Sequence, residues 1–368
     1  MKLRRAISWL KGTLQRSLFP DLEDCWNTAL TDKERQLVSI LDLVQVEGFI
    51  VRKAESQWLG RKLLQRESMG RSFVAKAVYG YPATRALIEA LKTTPNLRRI
   101  CGFRSVADIP CEATFSRAFA EFSESGLGDR VHDSMVERFL KPELVGHISR
   151  DATAIEGREK SVKRLPKVKS APKKRGRPAK GEHREPKERK RLERQRDQSA
   201  EEALKELPVL CDRGTKKNSK GFKETWIGYK LHADVNDCGL PVSLVLTAAS
   251  VHDSQVAIPL MKMSSAKVDY LYDLMDSAYD ARSIYDVSRN LGHVPIIDKN
   301  SRGKEIIPMA PHEAARYNER TAAERFNSRI KEEFGARNIM VRGAQKVKMH
   351  LMFGVIALFA DQLLKPAT

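Results

Sequence analysis

The spacing of apolar residues changes once along this chain, near residue 145, and that change limits the fold more than any other feature. Before it, apolar side chains recur three and four positions apart, as in helices that bury one face. After it, short apolar runs lie between turn-forming residues, the pattern of strands. LVGHISRDATAI reads as a first strand carrying Asp151, and WIGYKLHADVND with LPVSLVLTAAS as a hairpin turning at Asp237 to Gly239. VDYLYDLMD then reads as a strand ending at Asp276, ARSIYDVSRNLG as a helix and HVPIID as a short strand. A hairpin followed by alternating strands and helices predicts an α/β unit: a mixed sheet covered by helices, behind a helical region spanning 1–145.

One interval fits neither pattern. Residues 158–197 hold 18 Lys or Arg against 6 Asp or Glu, so this stretch supplies +12 of the chain's net charge of +19. It has almost no apolar side chains and is expected to be a disordered or partly helical insert within 158–220, splitting the first strand (146–157) from the rest of the sheet unit (221–335). Within it, Lys173, Lys174, Arg175, Gly176, Arg177 and Pro178 set a Gly between two Arg, with Pro extending the chain. Such a segment can enter a narrow A·T minor groove, as an AT-hook does; a generic basic linker has the same composition.

The basic balance, 66 Lys and Arg against 47 Asp and Glu, favours a polyanionic partner, with nucleic acid and anionic membrane as the two candidates. The start, MKLRRAISWLKGTLQR, lacks the apolar core and cleavage site of an export signal. The apolar C-terminal segment (336–368) carries charges near both ends of its helix and reads as a packing helix rather than a membrane span. Five scattered cysteines argue against a disulfide framework and fit a reducing compartment. Histidines form no paired motif, so oxygen ligands are expected for any metal.

Within the helical region, NLRRICGFRSVADIPCEATFSRAFAEF suggests two helices joined at Gly102 and at Asp108 to Pro110, the second with Pro110 in its first turn. That arrangement is compatible with a helix-turn-helix presenting Thr114, Ser116 and Arg117 to DNA, and equally with an ordinary helical hairpin. Farther on, Tyr317, Arg320, Glu324 and Lys331 fall within an arc of about 60° on an α-helix, with Ala323, Phe326, Ile330 and Phe334 on its apolar side. A carboxylate between cations suits a metal-assisted phosphodiester site; Arg320 and Glu324 are also spaced for a surface ion pair. Asp151, Asp276 and Glu324 stand out as acids at strand ends and on a flanking helix, while Asp253, Asp273 and Asp280 compete locally. Trp226 and His232 are candidates to lie near the site, but read first as a packed aromatic and a hydrogen-bonded strand histidine.

Taken in order, PCEATFSRAF, GYKLHADVNDCGLPVSLVLTAASVHDS, YDLMDSAYDARSIYDVSRNLGHVPIIDKN and the Tyr317, Arg320, Glu324, Lys331 series resemble the DDE transposases of bacterial insertion sequences with the Y-(2)-R-(3)-E-(6)-K signature, over about residues 80 to 365. The resemblance implies an α/β, ribonuclease H-like catalytic core behind an N-terminal all-helical DNA-binding domain. It implies Asp151, Asp276 and Glu324 as catalytic residues holding two Mg²⁺ or Mn²⁺ ions, and Tyr317, Arg320 and Lys331 as contacts to transposon-end DNA. The expected activity is cleavage at the ends and strand transfer into target DNA, the partner double-stranded DNA bearing terminal inverted repeats, and the working form a homodimer on DNA. The expected location is the nucleoid of a bacterial or archaeal cytoplasm, without membrane association. The sequence departs from many relatives in DSAYD, where they have Gly before the Tyr, and it places its long insertion between Asp151 and Asp276. An alternative is a catalytically inactive, transposase-derived DNA-binding protein.

Overall fold

The computed structural model describes residues 30–50, 66–163, 189–217, 221–300 and 308–365. Among the described residues, six α-helices form the first part: α1 Asp32–Val44, α2 Arg66–Val78, α3 Thr84–Thr93, α4 Pro95–Ile100, α5 Glu112–Glu124 and α6 Leu127–Phe139. Their start signals are local. Thr31 caps α1 by accepting from the Glu34 N–H at 3.2 Å, while the Glu34 carboxylate accepts from the Thr31 N–H at 2.8 Å.

The sheet follows. β1 Val145–Glu156 pairs antiparallel with β3 Lys223–Asn236 and parallel with β5 Tyr270–Met275, which pairs parallel with β6 Val294–Ile297. β3 also pairs with β2 Asp212–Lys217 along its first half and with β4 Pro241–Ala248 along its second. The path β4-β3-β1-β5-β6 is thus antiparallel on one side of β1 and parallel on the other. The expected α/β architecture, a mixed sheet with a mostly helical N-terminal region, is present.

Two short helices, α7 Arg191–Gln195 and α8 Ala200–Lys205, precede β2; helices α9 Ser254–Lys267, α10 Arg282–Asn290, α11 Pro311–Tyr317, α12 Thr321–Glu332 and α13 Ala344–Leu364 come later. The interval 158–220 is therefore structured beyond expectation in its second half. The reason is composition: past residue 199 it carries Ala203, Leu207 and Cys211, all buried. Residues 173–178, with the AT-hook-like segment, lie outside the described residues.

Cross-strand register assigns the covering helices to faces. Asp151 is paired with Ala233 and Arg150 with Asp234, so Arg150 and Asp234 share one face and Asp151 the other. Ser264 of α9 donates to Asp234 at 2.6 Å, and Asn327 of α12 donates to Asp151 at 3.0 Å. α9 therefore covers the Arg150 face and α12 the Asp151 face.

Helix α13 is long and apolar enough to cross a membrane, yet most of it is buried inside this fold. It packs among α1, α2, α5 and α6, where Phe353 stacks on Phe73 at 5.4 Å between centroids. At Gly128 of α6, a Cβ would stand 2.5 Å from the Cβ of Met352, so glycine permits that helix contact. The same helix holds α12, because Arg329 donates to Gln362 at 2.7 Å and pairs with Asp361. The C-terminal helix thereby ties the helical bundle to the helix that carries Glu324.

Candidate active site

Two carboxylates come side by side because their strands are parallel neighbours. β1 and β5 pair from Val145 opposite Tyr270 to Arg150 opposite Met275, so Asp151 and Asp276 are the next residues in that row. Asp276 ends the strand by capping the 3-10 turn Ser277–Tyr279, its Oδ1 accepting from the Ala278 N–H at 2.9 Å. Burial pushes the Asp151 carboxyl from 3.8 up to about 6; the Ala152 N–H and Arg320 oppose the rise, and the charges of Asp276 and Asp253 add to it. Burial likewise raises Asp276, against the Ala278 N–H and Arg320. Each acid is thus desolvated and repelled by a neighbour, a penalty that a cation between them would relieve.

Glu324 occupies the first turn of α12 with a side chain 51% exposed, and Arg320 donates to it at 2.6 Å. The Arg320 guanidinium also lies 5.6 Å from the Tyr317 ring centroid, and its charge reaches both aspartates. Burial raises the Tyr317 hydroxyl, with Asp298 and Asp276 adding to the shift and Arg320 opposing it. Lys331 stands two turns beyond Glu324; burial lowers its ammonium, and the cations Lys216 and Arg337 lower it further.

The single helix expected across these four residues is interrupted. Tyr317 ends α11, residues Asn318–Arg320 form a 3-10 turn, and α12 begins at Thr321. The Ser149 hydroxyl of β1 donates to the Glu319 carbonyl at 3.4 Å, giving that group a partner outside the helix. A second correction concerns α5: it starts at Glu112 with Cys111 as its cap, so Pro110 precedes the helix rather than sitting in its first turn. Thr114 is half-buried and accepts from Arg117 at 3.4 Å, whereas Ser116 and Arg117 are exposed. Phe115, Ala118, Phe119 and Phe122 bury the other side of α5.

The competing acids have other partners. Asp273 is fully buried and accepts from Arg150 at 3.3 Å, Ser288 at 2.6 Å and Tyr270 at 3.1 Å. Asp280 accepts from the Asn300 N–H at 3.2 Å. Asp253 receives Lys230 at 2.9 Å, with His232 Nδ1 3.9 Å away. His232 is buried, shares a 2.9 Å hydrogen bond with Thr247, and is lowered by burial to about 4, which keeps it neutral at pH 7. Trp226 lies over Gly214 and donates to the Tyr229 carbonyl at 3.1 Å. Sequence reasoning missed Asn327, the partner of Asp151. Its one signal is a polar side chain inside the apolar stripe of α12.

The donor set suits a hard divalent cation: adjacent carboxylate oxygens in a desolvated place, with no sulfur ligand. Asp151 and Asp276 are oxygen donors of the kind such an ion takes, and the Glu324 carboxylate is engaged by Arg320. Among the described residues, no group of three His, Cys, Asp or Glu stands ready to hold a metal.

A family model described as the transposase DDE domain matches residues 151–360, more than half of the chain, and begins at Asp151. This chain belongs to the DDE transposases. The helical part agrees, since residues 24–121 match a second transposase domain model (DUF772). No curated protein is similar enough to the chain to extend that comparison. Family membership brings a transposase function with DNA as partner, and DDE transposases generally use divalent metals.

Proposed function

We propose that this DDE transposase cuts DNA at the ends of an insertion sequence and transfers the strands into target DNA, using Asp151, Asp276 and Glu324 to hold two Mg²⁺ or Mn²⁺ ions. The observation that carries the reading is the parallel register setting Asp151 beside Asp276, both raised by burial and by neighbouring charge. The strand path, antiparallel on one side of β1 and parallel on the other, supports a ribonuclease H-like core. Bound metal would supply activation of the attacking oxygen and stabilisation of the leaving one.

The protein's own residues do the rest. Arg320 donates to Glu324, its charge reaches both aspartates and, with Tyr317 and Lys331, it would bind DNA phosphates. A phosphate that takes the guanidinium from Glu324 frees that carboxylate for metal, so substrate and metal would complete the site together. Thr114 and Arg117, on the exposed side of α5, and Lys173, Lys174, Arg175 and Arg177 in the basic insert are proposed as further DNA contacts, and two chains are proposed to act on paired ends.

The test is cleavage and joining of duplexes carrying the element's own terminal repeats in Mg²⁺, wild type against Glu324→Ala. Metal-dependent joined product that disappears in the variant, with DNA binding kept, is expected. Tight binding without cutting by the wild type in either Mg²⁺ or Mn²⁺ would mark the chain as a non-catalytic DNA-binding protein.

A further inference from the structure

Five residues of α12 are buried: Ala322, Ala323, Phe326, Asn327 and Ile330. Only Asn327 among them is polar, and it is 8% exposed. A buried amide costs free energy unless it is hydrogen-bonded, and a leucine of similar size would pack in the same place without that cost. Asn327 is only half satisfied: Nδ2 donates to Asp151 Oδ2 at 3.0 Å, while Oδ1 has no hydrogen-bond partner among the described residues. Stability therefore does not explain an asparagine here, and the explanation points to what it holds.

The bond has two consequences. It engages one oxygen of Asp151 and leaves Oδ1 free of this contact. It also joins β1 to α12 one helical turn beyond Glu324, so the strand acid and the helix acid are set relative to each other. A neutral donor orients the carboxylate without cancelling its charge, unlike the guanidinium that Arg150 presents to Asp234. We propose that Asn327 is a positioning residue of the metal site, fixing the Asp151 carboxylate and tying it to the helix that presents Glu324. The proposal rests on Asp151 being a metal ligand.

The experiment compares Asn327→Leu, Asn327→Gln and Asp151→Asn in the full chain, reading Mn²⁺ affinity by electron paramagnetic resonance and Tm by calorimetry. Leu removes the donor at similar size, whereas Gln keeps an amide donor but adds a methylene to a packed place. The expected result is crossed. Asn327→Leu holds or raises Tm yet loses roughly 10- to 100-fold in Mn²⁺ affinity, as removal of a ligand's orienting partner does. Asn327→Gln lowers Tm and keeps close to wild-type affinity. Wild-type Mn²⁺ affinity in Asn327→Leu overturns the proposal, as does equal loss of affinity in a folded Asn327→Gln. If Asn327→Leu does not fold, Asn327→Ala, which also removes the donor, decides by the same readout: a loss of Mn²⁺ affinity is expected, and wild-type affinity overturns the proposal. Asp151→Asn separates the two levels: if it binds Mn²⁺ like wild type, the assignment of Asp151 fails, and if it alone loses Mn²⁺, only the role of Asn327 fails.

Discussion

Arg150 and Asp151 are consecutive on one strand and face opposite sides of the sheet, and the two faces treat charge in opposite ways. On the Arg150 side, the guanidinium makes two 2.7 Å bonds to Asp234 and reaches Asp273 at 3.3 Å. Ser264, Ser288 and Tyr270 fill further positions on those carboxylates. On the Asp151 side, two aspartates are both raised by burial, Asp276 adding to the rise at Asp151 and Asp253 to the rise at each, with a neutral amide on Asp151 and Arg320 engaged with Glu324. A buried charge that serves the fold is matched until nothing is left to bind. The carboxylates proposed to serve chemistry have no such matched cation.

The sharpest break of that contrast is removal of an acid from the second face. Asp276→Ala should lower end cleavage by roughly three orders of magnitude or more, about 4 kcal/mol of barrier, while a gel-shift assay shows DNA binding retained. Cleavage near the wild-type rate would place the chemistry elsewhere. Next comes the first face: Arg150→Leu leaves two buried carboxylates without their cation and should cost about 3–5 kcal/mol in urea denaturation. A loss under 1 kcal/mol would mean that this network is not what holds the sheet to α9.

A smaller effect of opposite sign is expected at Asp151. Its carboxyl titrates near 6 in the folded protein against 3.8 ordinarily, so the folded state binds the proton more tightly. Its contribution is therefore most favourable below 3.8, declines as pH rises toward 6, and stays low above that. At pH 7.5 without metal, Asp151→Asn should be more stable than wild type by about 1–3 kcal/mol, with no gain near pH 3.5. A destabilised variant at pH 7.5 would show Asp151 to be structural after all. The smallest change concerns Lys331, whose ammonium is lowered by burial and by Lys216 and Arg337, with Glu156 and Glu332 opposing the shift. Lys331→Ala should weaken binding to any duplex and reduce the slope of log affinity against log salt by about 1.

Much of this was legible in the chain. The strand carrying Asp151, the hairpin turning at Gly239 and the strand ending before Asp276 are local patterns of apolar residues and turn formers, and they stand where expected. Less legible was the break at Asn318–Arg320, where the Glu319 carbonyl accepts from Ser149, a residue far away in sequence. Strand β2 was hidden because it follows a basic, apolar-poor run that dominates its surroundings.

The choice among acids divides the two kinds of information most clearly. By sequence, Asp273, Asp276 and Asp280 are equivalent candidates on one short stretch, and only spacing and resemblance single out Asp276. Pairing of β1 with β5 separates them, burying Asp273 under Arg150 and setting Asp276 beside Asp151. The sequence by itself determined the change from helices to a mixed sheet, the strands that carry Asp151 and lead to Asp276, the excess of positive charge and the membership of the DDE family, since periodicity, composition and motif order are properties of the chain read along its length. Tertiary structure alone decided which acids share a face and that Asn327 meets Asp151, because register and helix docking bring together residues that no local pattern relates.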